Sequence, residues 1–259
     1  MEVKDILEKL VSGKMTIAGA EKELRFFSIK QIGKNIAKLD PGRKMRSGLP
    51  EVVLASGKKY SDLIKIIYGI LLENDHVLVT KIPSKELLKL NKSSRKKNLV
   101  VESGQNSSCL LISKKRHKLT VTRGKVGILC AGTSDIGIAE EARLMARAMG
   151  CETFTDYDVG IAGLHRTIEA VETMIKSGVQ AIVVAAGMEG ALPSVVSSLV
   201  DVPVIGVPTS VGYGYGSMGY AALASMLQCC SLGVAVVNIN NGIGGGAFAA
   251  LIANSSNLN

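Results

Sequence analysis

The chain has 259 residues, 47% hydrophobic and 20% charged, with 28 Gly and no Trp. That apolar content excludes a disordered chain, and five unpatterned Cys in so long a sequence exclude a disulfide scaffold. The formal charge of +9 hides an asymmetry: residues 1–125 carry 27 Lys and Arg against 12 Asp and Glu, and the remainder carry 4 against 10.

Two regions of opposite charge, with glycine concentrated in the second, predict two domains, 1–122 and 123–259, divided in the basic stretch Lys114 to Lys125. The opening MEVKDILEKL has no apolar h-region. With the scattered Cys, this gives the expectation of a cytoplasmic protein without a signal peptide.

Residues 1–40 contain amphipathic helical segments, followed by a loop-like run from Asp40 to Val53. The pattern then predicts a helix over 60–72, a strand over 76–80, a helix over 84–91 and a strand over 98–102, a small α/β unit. From residue 125 the rhythm becomes strand, loop, helix. Strands are predicted at 125–131, 151–157, 181–187, 203–208 and 234–239, and helices at 135–149, 165–177, 190–199, 217–231 and 244–254. Glu140, Glu141 and Arg143 fall on the outward face of the first of these helices, and Gly178 reads as a C-cap. Five such units predict an open, mostly parallel sheet with helices on both faces.

No charged residue or His follows Asp201. The most apolar run, Ala221 to Val237, is short for a membrane span, contains Gln228 and lacks flanking Lys or Arg. The better reading is a helix buried on all faces, covered by another subunit.

In such a sheet, ligands bind beyond the C-terminal ends of the strands. The loops there are Ala131–Asp135, Asp158–Gly163, Gly187–Gly190, Pro208–Gly212 and Asn238–Gly246, each rich in Gly, hydroxyl or polar residues. In the first, backbone N–H groups and the Thr133 and Ser134 hydroxyls can hold a phosphate, although the same residues also suit a plain N-cap. It is neither a Walker A loop nor GxGxxG. His165 and Arg166 form a candidate anion-facing pair. Glu189 is a lone carboxylate in an apolar loop, suited to accept a proton or to hold Mg²⁺ against phosphates. Cys229 and Cys230, taken alone, read as buried hydrophobes. The basic runs at 93–97 and 114–118 lack interleaved aromatics and read as solvated Lys faces rather than a nucleic-acid surface.

AGTSD, GLHR, AAGMEGALPSVV, GVPTSVGYG and VVNINNG, in that order, resemble the LarB family of pyridinium-3,5-biscarboxylic acid mononucleotide synthases, which serve nickel-pincer cofactor biosynthesis. The C-terminal domain of that family is similar to the aminoimidazole ribonucleotide carboxylase PurE. The likeness is dense over 125–253 and looser through Arg43 to Val53. It implies an α/β fold: a small N-terminal α/β domain and a flavodoxin-like, three-layer, parallel-sheet, PurE-like C-terminal domain. It implies carboxylation of nicotinic acid adenine dinucleotide with CO₂ or bicarbonate, and hydrolysis of its phosphoanhydride to give the biscarboxylated mononucleotide and AMP. Mg²⁺ on Glu189, no organic cofactor and a PurE-like homo-oligomer, such as an octamer, are implied with it. By its place before Gly-Val-x-Val-Val-Asn, Cys230 matches the Cys that forms an adduct with the ring. Asp135, His165 and Glu189 are the candidate bases. Gly132, Thr133, Ser134, Arg166, Gly187, Met188, Thr209, Ser210, Arg43 and Arg46 are the candidate binding residues. Two positions depart from the family pattern. Gly137 replaces an expected Pro, which should loosen the helix start, and Asn240 replaces an expected Asp. An aminoimidazole ribonucleotide carboxylase and a non-catalytic nucleotide- or RNA-binding protein are the alternatives.

Overall fold

The computed structural model describes residues 3–24, 30–32, 37–40, 43–115 and 121–256. The N-terminal part comprises α1 (Val3–Val11), α2 (Ile17–Leu24), the antiparallel pair β1 (Lys30–Ile32) and β2 (Ala37–Leu39), α3 (Arg43–Ser47), β3 (Val52–Leu54), α4 (Tyr60–Glu73), β4 (His76–Thr80), α5 (Ser84–Lys96), β5 (Leu99–Ser103) and β6 (Leu110–Lys114). Four of these strands form a mixed sheet in the order β3-β4-β6-β5. The C-terminal part comprises β7 (Lys125–Cys130), α6 (Ile136–Ala148), β8 (Glu152–Asp156), α7 (Leu164–Ser177), β9 (Ala181–Ala186), α8 (Leu192–Ser197), β10 (Val204–Pro208), α9 (Tyr220–Leu227), β11 (Val234–Val236) and α10 (Gly242–Ser255). Its five strands are all parallel, in the order β11-β10-β9-β7-β8. That is the flavodoxin-like order, whose topological switch point lies between the first and third strands, here β7 and β9.

Side-chain alternation along the strands sets the layers. Ile128 and Cys130 of β7, Val183 and Ala185 of β9, and Ile205 and Val207 of β10 pack with α6 and α10. Leu129, Ile182, Val184 and Val204 point the other way, into a second core with α7, α8 and α9. The N-terminal sheet repeats the pattern. Val77, Val79, Leu110 and Ile112 meet α4 and α5, while Leu78 and Leu111 join the core of α6 and α10. Two helices are thus shared between two sheets.

This shared layer corrects one expectation. Glu140 and Glu141 do not face solvent; both are buried because the N-terminal sheet covers that side of α6. Arg143 bridges Glu140 (Nη2 to Oε2, 2.8 Å) and Glu102 on β5 (Nη1 to Oε1, 2.6 Å), and the Tyr157 hydroxyl donates to Glu140. Thr80 and Lys81 do the same for Glu141. Periodicity reads only one chain segment at a time, so it could not register a second sheet arriving from 60 residues upstream.

Close approach of α10 to α6 depends on small residues. A Cβ on Gly242 would sit 2.2 Å from the Ile138 carbonyl, and one on Gly246 2.3 Å from that of Ala142. The helix expected over 217–231 shortens to α9, because Met218 (φ 62°) and Gly219 (φ 84°) lie in the left-handed region. The run Ala221 to Val237 therefore divides between a two-turn helix and an edge strand. Among the described residues no helix is long and apolar enough to cross a membrane. Of the basic stretch Lys114 to Lys125, residues 116–120 lie outside the described residues.

Candidate active site

A cleft of about 380 Å³ opens at the switch point, walled by the loops after β7, β8, β9 and β10. It takes Gly132, Thr133, Ser134 and Asp135 from the first loop, Asp158 from the second, Gly187, Met188 and Glu189 from the third and Val211 from the fourth. Thr133 and Ser134 are exposed at the entry to α6, where free backbone N–H groups and the helix dipole favour an anion.

Asp135 holds the loops together. It is 3% exposed, accepts at Oδ1 from the Thr209 hydroxyl (2.5 Å) and at Oδ2 from the Gly132 N–H (2.9 Å). Burial raises its pKa above the ordinary carboxylate value, while hydrogen bonds from Thr209, Gly132 and Gly187 oppose the rise. Met188 takes φ 51° and donates its N–H to the Val211 carbonyl (2.8 Å), and Gly190 (φ 67°) closes the turn onto the Gly187 carbonyl (2.9 Å). This turn leaves Glu189 exposed at the rim of the cleft.

Asp158, which opens one of the loops expected to bind ligand but is not among the candidate site residues, lines the cleft. Its signal was an Asp at a strand end ahead of a Gly, and it takes the left-handed conformation (φ 61°) that Asp tolerates better than most residues. Arg166 Nη1 donates to Asp158 Oδ2 (2.8 Å), so Arg166 reaches the cleft through a carboxylate rather than by lining it. His165, next to it on α7, is exposed and does not line the cleft. Thr209 is buried behind Asp135. Ser210 lines a second, adjoining cavity, where Asn240 holds it. Arg43 and Arg46 lie on α3 of the N-terminal part, outside the cleft lining, and Arg46 pairs with Asp40.

Cys230 is exposed in the connection between α9 and β11 and does not line the cleft of its own chain. Gly233, three residues on, accepts from the N–H of Val204 at the start of β10, whereas the cleft opens beyond the strand ends. Cys229, half-buried, accepts from the Ser194 hydroxyl (2.7 Å). The remaining thiols, Cys109, Cys130 and Cys151, are buried, and burial raises the pKa of each, that of Cys130 to about 12.

Residues 125–259 match the AIR carboxylase family model, and residues 29–113 match the model of the LarB/PurE-like N-terminal domain. The chain belongs to the AIR carboxylase family, as a LarB-like member. An uncharacterized protein of Methanocaldococcus jannaschii is 44% identical over 254 residues, 97% of this chain and 96% of that protein. An N5-carboxyaminoimidazole ribonucleotide mutase of Thermotoga maritima is 32% identical over 133 residues, 49% of this chain and 74% of the mutase. A mutase of the same description from Methanocaldococcus jannaschii is 35% identical over 127 residues, again 49% of this chain and 74% of its own length. The LarB-like chain therefore has a carboxylase-type domain built on the parallel sheet, and its N-terminal sheet is a separate family feature packed against α6.

Proposed function

We propose that this LarB-like protein carboxylates the pyridinium ring of nicotinic acid adenine dinucleotide and hydrolyses its phosphoanhydride. The reading is carried by the cleft at the switch point, where anion-binding loops and two carboxylates, Asp158 and Glu189, converge next to the LarB-type N-terminal sheet. The Cys230 thiolate adds to C4 of the ring and gives a dihydropyridine, in which C5 is the β-carbon of an enamine. C5 attacks CO₂, a base takes the C5 proton, and expulsion of the thiolate restores aromaticity. Water cleaves the anhydride, yielding the biscarboxylated mononucleotide and AMP.

Of the three candidate bases, Glu189 is the one exposed at the cleft rim; Asp135 is engaged in holding loops and His165 lies outside the lining. Among the described residues no cluster of three His, Cys, Asp or Glu could hold a metal by itself. One or two carboxylates fit Mg²⁺ that arrives with the substrate's phosphates, with Glu189 as its protein ligand. Bound there, the ion would neutralise pyrophosphate charge during cleavage. Because Cys230 does not line its own chain's cleft, the thiol of one copy serves the cleft of another in a homo-oligomer. Leu227 and Leu232, on either side of Cys230 in sequence, are exposed apolar side chains in a stretch that carries no charge after Asp201, a composition suited to association.

The half-chain likeness to the mutases favours action on an aminoimidazole ribonucleotide as the second reading. Incubation with each substrate and ¹³C-bicarbonate, followed by mass spectrometry, separates the two. Label in the pyridine mononucleotide together with AMP supports the proposal; label confined to the aminoimidazole nucleotide refutes it.

A further inference from the structure

A cavity of about 590 Å³, larger than the cleft, lies at the opposite end of β7. That strand begins two residues after Arg123, which lines the cavity, and ends next to Ala131, which lines the cleft. Its six residues set the two openings about 20 Å apart. Both parts of the chain build the cavity: Lys44 of α3 and His76 of β4 from one side, and Arg123, Met149 and Asn254 from the other.

Among the described residues, three of the lining side chains are basic, Lys44, His76 and Arg123, and none is a carboxylate. His76 is buried. Glu51, Glu73 and Asp75 line a smaller neighbouring cavity, of about 180 Å³, that shares Lys44 and His76. There Glu51 accepts from the Asp40 N–H (3.2 Å), and Asp75 accepts from Lys114 (3.4 Å).

Helices α6 and α10 end at the larger cavity, and helix C-termini attract cations. Other groups meet the carbonyls there. Asn254 Nδ2 donates to the Met149 carbonyl (3.3 Å), and Thr122 donates to the Gly150 carbonyl through its N–H (2.8 Å) and its hydroxyl (3.1 Å). The Lys44 ammonium and the Arg123 guanidinium stay exposed, with no hydrogen bond or ion pair to the described residues. Charge of one sign on a concave surface concentrates the opposite ion, and a guanidinium grips two oxygens of a phosphate at once. Val121, Ala148 and Met149 supply an apolar wall, and the volume falls in the range of small-molecule sites.

We propose that this cavity is a binding site, separate from the cleft, for a small phosphate monoester with an apolar body. Lys44 and Arg123, with His76 behind them, face the dianionic phosphate, and Val121 and Met149 take the body. The test uses phenyl phosphate as the probe, titrated by calorimetry into the full-length wild type and into Lys44→Gln and Arg123→Gln. Both side chains are exposed, so the unfolding midpoints of the variants should match the wild type. Loss of one hydrogen bond to a charged group predicts binding about tenfold weaker in each variant. Lys89→Gln removes the same charge from α5, on the outer face of the N-terminal sheet, and Thr133→Val alters the cleft; each should change the affinity of this site by less than about twofold. Phenol, which lacks the phosphate, should not bind. Binding is read without turnover, so the result stands apart from the reaction proposed for the cleft. No binding of phenyl phosphate by the wild type, or an affinity that Lys44→Gln or Arg123→Gln leaves unchanged, overturns the proposal. Equal weakening by Lys89→Gln, which would mark a bulk charge effect, overturns it too, as does binding that depends on Thr133 alone or binding of phenol as tight as that of its phosphate.

Discussion

The Thr209 hydroxyl donates to Asp135 Oδ1 at 2.5 Å, joining the loop after β10 to the loop after β7 across 74 positions of sequence. The other oxygen of Asp135 holds the Gly132 N–H, so one buried carboxylate keeps the loop after β7 in register with the opposite wall of the cleft. Asp135→Ala leaves both donors unpaired, and the expected loss is about 1–3 kcal/mol of stability together with loss of dinucleotide binding. Thr209→Val should cost less. Because the two act as one unit, the double variant should fall short of the sum of the singles. Urea unfolding of the four proteins checks this, and strict additivity would remove the coupling.

Gly137 has a structural reason that sequence reasoning read as a weakness. A Cβ there would lie 2.4 Å from the Asn106 carbonyl, so glycine is what lets the N-terminal loop sit against the first turn of α6. Gly137→Ala should destabilise the chain by about 1–3 kcal/mol, as expected for overpacking. Thermal unfolding measures it. A variant of wild-type stability would show that the loop yields freely.

Much of the parallel-sheet half was legible in the sequence. Its strands are continuous apolar runs such as AIVVAA, buried on both faces, and the loops that end them carry the cleft. The N-terminal sheet was less so. β3 has three residues, and β6 was not predicted at all, since its run LLISK sits against the basic stretch that suggested a boundary. Burial of Glu140 and Glu141, the place of Asp158 in the cleft and the adjoining cavity lined by Ser210 depend on contacts between distant segments. No local period reports those.

Glu141 gives a pH signature. Burial raises its pKa above the ordinary value despite Lys81 and Thr80, so the folded state binds this proton more tightly than the unfolded chain. The stability it contributes is fully present below the ordinary carboxylate pKa and is lost as pH rises through the folded value. Relative to Glu141→Gln, the wild type should therefore lose unfolding free energy as pH increases from about 4 upward. Denaturant titrations at a series of pH values test the sign. A difference that grows with pH would mean that Lys81 dominates.

Sharing of the site between copies can be tested by mixing. Cys230→Ala and Glu189→Gln chains, each inactive alone, should regain about a quarter of wild-type activity after equimolar co-assembly if thiol and carboxylate come from different copies. No recovery would place both in one chain.

The most direct measurement compares the rate of ring carboxylation in Cys230→Ala and Cys229→Ala, with circular dichroism and unfolding midpoints as controls for folding. Cys230→Ala, though folded, should lose carboxylation by roughly a thousandfold or more, as for removal of a covalent nucleophile, while Cys229→Ala stays close to wild type. A folded Cys230→Ala protein that carboxylates the dinucleotide at the full rate would contradict it.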